Sequence, residues 1–160
     1  MNLALLPRNI GSEMNYRVQA MRKVGIHARA YSFQQGAIIS NEHIQSLPKV
    51  VSEFNPWKRF QNILDYRRQL KDILEWADVV HWVYDLTYLP FTNWTLEMDL
   101  LRASGKPGVI QWAGSDIRVS AMDAEVNSYF RDAIERGEWR YKETRAHSLR
   151  NQSNFAKLMA

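Results

Sequence analysis

An acid and a base, one residue apart, follow a small-residue turn where an apolar run ends. In Val109 to Arg118, VIQWAGSDIR, the residues Gly114-Ser115-Asp116-Ile117-Arg118 follow directly on the run. Gly, Ser and Asp are common turn formers, so part of this segment reads as an ordinary solvated turn. Asp116 and Arg118 could instead form a short-range ion pair that orients either group toward hydroxyls or a phosphate. Three other places offer chemistry of the same kind. Asn9-Ile10-Gly11-Ser12 follows another apolar run, NLALL, closed by Pro7. Free N–H groups and a helix dipole would make such a loop a phosphate seat, with Gly11 letting the ligand near the backbone. Gly11-Ser12 reads equally as a helix N-cap. His81 lies inside DVVHWVY, where a lone histidine is either a satisfied core residue or a group facing a ligand. Tyr84 and Asp85 end that run. Asp85 could accept a proton or substrate hydroxyls, or cap the next turn. The candidates for catalysis are therefore His81, Asp85 and Asp116. Those for substrate binding are Gly11, Ser12, Tyr84, Ser115, Asp116 and Arg118.

Other chemistries lack their residues. The chain has no cysteine, hence no disulfide, thiolate metal site or Cys nucleophile. His27, His43, His81 and His147 share no metal-ligand spacing, and neither a metal nor an organic cofactor is expected. No G-x-G-x-x-G, Walker or G-x-S-x-G motif occurs. The Asn93-Trp94-Thr95 and Asn151-Gln152-Ser153 sequons mean little without a secretory leader, and the opening residues do not resemble one. A net charge of +4 could suit an anionic partner, or simply a soluble basic protein. Arg136, Arg140, Arg145 and Arg150 read as a solvated face rather than a nucleic-acid groove.

The elements that must position these residues are legible in outline. A chain of 160 residues can bury about 70% of its unfolded surface in one domain. Asn2 to Leu6 predicts a buried strand. A helix follows from Ser12, with Met14, Val18 and Met21 on one face and Gly25 at its C-cap. Ile26 to Phe33 is the second strand, completing a βαβ unit. Gln34 to Pro56 reads as irregular, with one short element near Lys49-Val50-Val51. Trp57 to Trp76 predicts a helix with Phe60, Ile63, Leu64, Leu70 and Leu74 on its apolar side. Asp78 to Tyr84 is the third strand, and Thr92 or Asn93 to Ser104 a helix stopped by Gly105 and Pro107. Gly108 to Gly114 is the fourth strand. Helical patterns over Ala121 to Arg136 and Tyr141 to Met159 close the chain. The expected fold is α/β, a three-layer, doubly wound and mostly parallel sheet of about four strands in one domain over 1–160. Ligands of such sheets bind beyond the carboxyl ends of the strands. That places the site in the loops Arg8 to Ser12, Phe33 to Gly36, Tyr84 to Asn93 and Gly114 to Arg118.

Three segments carry a resemblance to a known family. MRKVGIHARAYSF is similar to an "aLrkrGHeV" segment, ADVVHWVYD to an "aDvvH.h" strand, and LLRASGKPGVIQWAGSDIR to "lr..gkP.v...hGsD.r". Their order resembles the N-terminal, Rossmann-like half of a GT-B glycosyltransferase across most of residues 1–118. RAHSLRNQSNFAKLMA is similar to the helix before that family's next strand. The resemblance implies transfer of a sugar from a nucleotide-sugar donor to a carbohydrate or lipid-linked acceptor. The acceptor side would be lined by His81, Tyr84, Asp85, Ser115, Asp116 and Arg118, and the Gly11 loop would reach the donor phosphates. It also implies a cytoplasmic location, with room for peripheral contact at the inner membrane face, and no nucleic-acid partner. Trp82 and Trp112 could stack on a sugar, though both suit core packing better. Two departures stand out. Many relatives carry a second histidine two positions after the first, where this chain has Val83. The donor-binding domain is also missing from these 160 residues, so the chain alone is expected to be inactive. The alternative is a non-enzymatic Rossmann-like module for a nucleotide, a sugar or a protein partner.

Overall fold

The run NLALL is apolar at every position after its first residue, and the fold uses it as the middle of a sheet. In the computed structural model, which describes residues 1–7, 12–33, 42–48, 54–83, 95–112, 120–138 and 145–159, strand β1 spans Asn2–Leu6. Ala4, Leu5 and Leu6 are wholly inaccessible to water. Helix α1, Glu13–Lys23, follows, then strand β2, His27–Ser32, and a three-residue strand β3, Ile44–Ser46. Helix α2, Pro56–Trp76, leads to strand β4, Val79–Val83, and helix α3, Thr95–Ala103, to strand β5, Gly108–Gln111. The five strands are parallel throughout, in the order β3-β2-β1-β4-β5. From β1 the chain moves one way through α1, and later returns the other way through α2 and α3. Right-handed crossovers in opposite directions put α1 on one face of the sheet and α2 with α3 on the other.

Each face has its own core. Leu3, Leu5, Ala28, Ala30 and Ile44 pack with Met14 and Val18 of α1, and Val79 borders them. Alternation along the strands sends Ala4, Leu6, Val80 and Trp82 to the opposite face. There the buried Tyr66, Leu70, Ile73 and Leu74 of α2 and Met98 and Leu101 of α3 supply the packing. Helix α1 ends in a Schellman-type turn: Ile26 N–H donates to Met21 O at 3.0 Å, with Gly25 at φ +80°. Helix α2 starts on a firm cap, Asn55 Oδ1 accepting from Trp57 N–H at 3.0 Å and Lys58 N–H at 3.2 Å, with Pro56 first in the helix.

Several expectations need correction. The sheet has five strands rather than about four; β3 is too short to show a period, and it precedes Lys49-Val50-Val51, which lie outside the described residues. Strand β5 is an edge strand, with Val109 exposed rather than buried. Phe60 and Leu64 point to water, and the buried side of α2 is formed by Tyr66, Leu70, Ile73 and Leu74.

Residues 1–111 form one compact unit and 112–160 a second. In the second unit the expected helix from Ala121 to Arg136 is two: α4, Ser120–Val126, and α5, Ser128–Glu135. They part at Asn127, whose extended backbone and side-chain bond to Phe130 N–H, 3.1 Å, start a new helix. Helix α6 spans Arg145–Met159. Arg136, Arg145 and Arg150 are exposed, as a solvated face requires, and Arg140 lies outside the described residues.

Candidate functional site

The strand order reverses direction at β1, whose two neighbours are β2 and β4. The carboxyl ends of β1 and β4 are therefore the switch point, the place where doubly wound sheets bind their ligands. Helix α1 begins at that edge, since it leaves β1 there. Its first two exposed turns present Glu13 and Arg17 on one side, four residues apart.

Strand register brings the partners to meet them. Leu5 pairs with His81, and Val83 pairs with Gln111. His81 lies two residues after Val79, which borders the α1 core, so its ring also faces α1. Gln111, opposite Val83, lies on the same face. Arg17 Nη1 stands 3.4 Å from His81 Nε2 and 3.5 Å from Nδ1. Arg17 Nη2 donates to Glu13 Oε1, and Gln111 Nε2 donates to the same oxygen at 3.1 Å. Four side chains from α1, β4 and β5 thus form one network. Its outer members remain reachable from solvent, the Arg17 and Glu13 side chains being 29% and 39% exposed.

The electrostatics favour an uncharged imidazole. Burial pushes the His81 pKa below its usual value, and the Arg17 guanidinium pushes it the same way. The Glu13 carboxylate and a hydrogen bond with Gln111 oppose the shift without cancelling it. A neutral His81 can accept a proton, and Arg17 beside it can hold an anion or a hydroxyl oxygen. Glu13 fixes the guanidinium in place.

Of the expected site residues, His81 belongs to this network, settled as a half-buried polar group rather than an apolar core member. Ser12 is the N-cap of α1, buried and with φ +66°, its carbonyl accepting from Asn15 N–H at 3.1 Å. Its side chain makes no cap bond. Gly11, Tyr84, Asp85, Ser115, Asp116 and Arg118 lie outside the described residues. Trp82 is buried in the core, as its strand position suggested, and Trp112 is half-buried.

Sequence reasoning passed over Glu13, Arg17 and Gln111. The first two carry a faint signal, an acid and a base four apart at the start of a helix that leaves a candidate loop. Gln111 carries none, because only the β4–β5 register places it. A second polar pair lies on the opposite face: Tyr66 OH donates to Glu97 Oε1 at 2.7 Å, with Glu97 only 1% exposed. Among the described residues no cluster of three His, Asp or Glu could hold a metal ion. Comparison with protein-family models, with curated proteins and with solved structures finds no match to this chain.

Proposed function

We propose that this chain is the acceptor-side domain of a GT-B-type glycosyltransferase, seating a hydroxyl-bearing acceptor over His81 at the β1/β4 switch point. One observation carries the reading: the network of Glu13, Arg17, His81 and Gln111 stands where a doubly wound sheet binds its ligands, with its imidazole biased toward the neutral form. In this reading Arg17 orients an acceptor hydroxyl or phosphate, and His81 takes the hydroxyl proton as the oxygen bonds to the anomeric carbon and the anomeric C–O bond to the donor's phosphate breaks, the nucleotide leaving with that oxygen. Glu13 and Gln111 position Arg17 and His81. Gly11, Tyr84, Asp85, Ser115, Asp116 and Arg118 stay candidates for substrate contact on the resemblance alone, and a facing domain would hold the nucleotide-sugar. Transfer needs a water-poor cleft between two walls, so sugar transfer is not expected of these residues alone.

The resemblance of the three quoted segments supports the same assignment. Val83, in place of the second histidine, favours the second reading, a Rossmann-like module that binds without catalysing. Titration of the labelled chain with mono- and disaccharides, and separately with nucleotide-sugars, tests both by following the His81 ring resonances. The proposal expects carbohydrates to shift them and Arg17→Met to abolish the shift. Binding of nucleotides alone, with carbohydrates silent, would select the non-catalytic module.

A further inference from the structure

We propose that the projecting first half of α2 docks on an anionic lipid surface. The helix is too long for the sheet it covers. Its 21 residues span about 31 Å, whereas a five-residue strand spans about 16 Å. Its far end is pinned at the amino edge of the sheet, where Asn2 Nδ2 donates to Trp76 O at 3.0 Å. The first turns therefore run past the carboxyl ends of the described strands. Accordingly the buried residues of α2 begin only at Tyr66.

What this overhang shows to water is aromatic and cationic. Trp57, Phe60 and Leu64 recur at spacings of three and four on the outer face, 78%, 53% and 44% exposed. Phe54 just before the helix is fully exposed. The exposed cations of α2 are Lys58, Arg67, Arg68 and Lys71, with Arg59 half-buried; Asp65 pairs with Arg68 at 3.4 Å, and Asp72 and Glu75 lie nearer the far end. Arg67, Arg68 and Lys71 are exposed one turn behind the apolar tip. An aromatic tip backed by a basic band matches a bilayer interface, with rings at the headgroup level and cations among the phosphates. No described helix is long and apolar enough to cross a membrane, so the contact is superficial.

A second exposed apolar row shows what the charge decides. Met122, Val126 and Tyr129 of α4 and α5 are exposed as well, yet over residues 120–136 four acids, Asp123, Glu125, Asp132 and Glu135, outnumber Arg131 and Arg136. An anionic surface repels that row and attracts the α2 overhang. The resemblance only left room for peripheral membrane contact; this inference rests instead on the exposed face of an outer helix, and its failure would leave the reading of the carboxyl edge untouched.

Sedimentation with phosphatidylcholine vesicles, with and without phosphatidylglycerol, tests it on the full chain. The protein should pellet with the anionic vesicles and stay in solution with the neutral ones, less so as salt rises. Trp57→Ser with Phe60→Ser should weaken binding about tenfold or more, with an unchanged melting curve because both side chains are exposed. Arg67→Gln and Lys71→Gln should each cost about fivefold on anionic vesicles only. The proposal fails if the wild type does not pellet, or if the variants bind as it does. It fails equally if light scattering shows a dimer that Trp57→Ser with Phe60→Ser dissolves, since a second copy would then cover the face.

Discussion

The two edges of the sheet use similar side chains to opposite ends. At the amino edge, polar groups tie down the backbone. Asn2 N–H donates to Asp78 Oδ2 at 2.7 Å, and Asn2 Nδ2 donates to Trp76 O. Arg22 donates twice to Ala28 O, at 3.1 and 3.0 Å, and Arg29 lies 4.2 Å over the Trp76 ring. The cavity of about 440 Å³ lined by Asn2, Arg22, Ala28, Arg29 and Trp76 among others is thus walled largely by groups already committed to holding β1, β2 and α2 together. At the carboxyl edge the polar groups hold one another. Arg17, Glu13, His81 and Gln111 bond side chain to side chain, and among the described residues none of the four holds a backbone group. An edge whose polar groups serve the fold has little left for a ligand. Asn15 of α1 does hold a backbone group there, accepting from His43 N–H at 3.0 Å, but four side chains that serve only each other can exchange one another for a ligand.

That contrast breaks most visibly in stability. Trp76→Ala removes a ring that covers both Arg29 and the foot of α2, and should cost about 2 kcal/mol in urea unfolding. Asn2→Ala removes the bond to Trp76 O and should cost about 1 kcal/mol. Both variants should leave the His81 resonances and carbohydrate binding as in the wild type. A cost below that of carboxyl-edge substitutions would show that the amino edge is no clasp.

Much of this architecture was legible because its boundaries are marked by residues with special backbones. Pro7, Gly25, Gly105 and Pro107 end β1, α1 and α3 as expected, and the apolar runs between them form the central strands. Periodicity failed where the third dimension decides. On α2 the apolar residues at Phe60 and Leu64 resemble core positions, yet the sheet stops short of them. Strand β5 is apolar enough for a core strand, yet it lies at an edge. Of the four network residues only His81 was legible in the sequence, because one strand can be read alone. Glu13 and Gln111 are 98 positions apart and meet only through the register of three strands.

The carboxyl edge should show the reverse pattern. Arg17→Met breaks a partly exposed pair on one helix and should cost under about 0.5 kcal/mol. Its effect belongs to the site: the His81 pKa should rise in a histidine NMR titration, since one of its two lowering influences is gone. An unfolding cost equal to that of Trp76→Ala would make the network structural and erase the contrast between the edges.

The smallest effect, on stability against pH, is the most specific. His81 titrates near 6.5 when unfolded and lower when folded. Between those values the unfolded chain binds more protons, so unfolding becomes easier as pH falls. The stabilisation from an uncharged His81 is complete well above pH 6.5 and is lost as pH drops through that value toward the lowered one. His81→Gln should remove this component, giving a shallower fall of melting temperature on acidification than in the wild type. Arg17→Met should give an intermediate slope, because burial, the larger cause, still holds the pKa down. Identical slopes in all three proteins would mean that His81 titrates as freely folded as unfolded. The network would then have no hold on the imidazole, and its claim to be more than a surface ion pair would go with it.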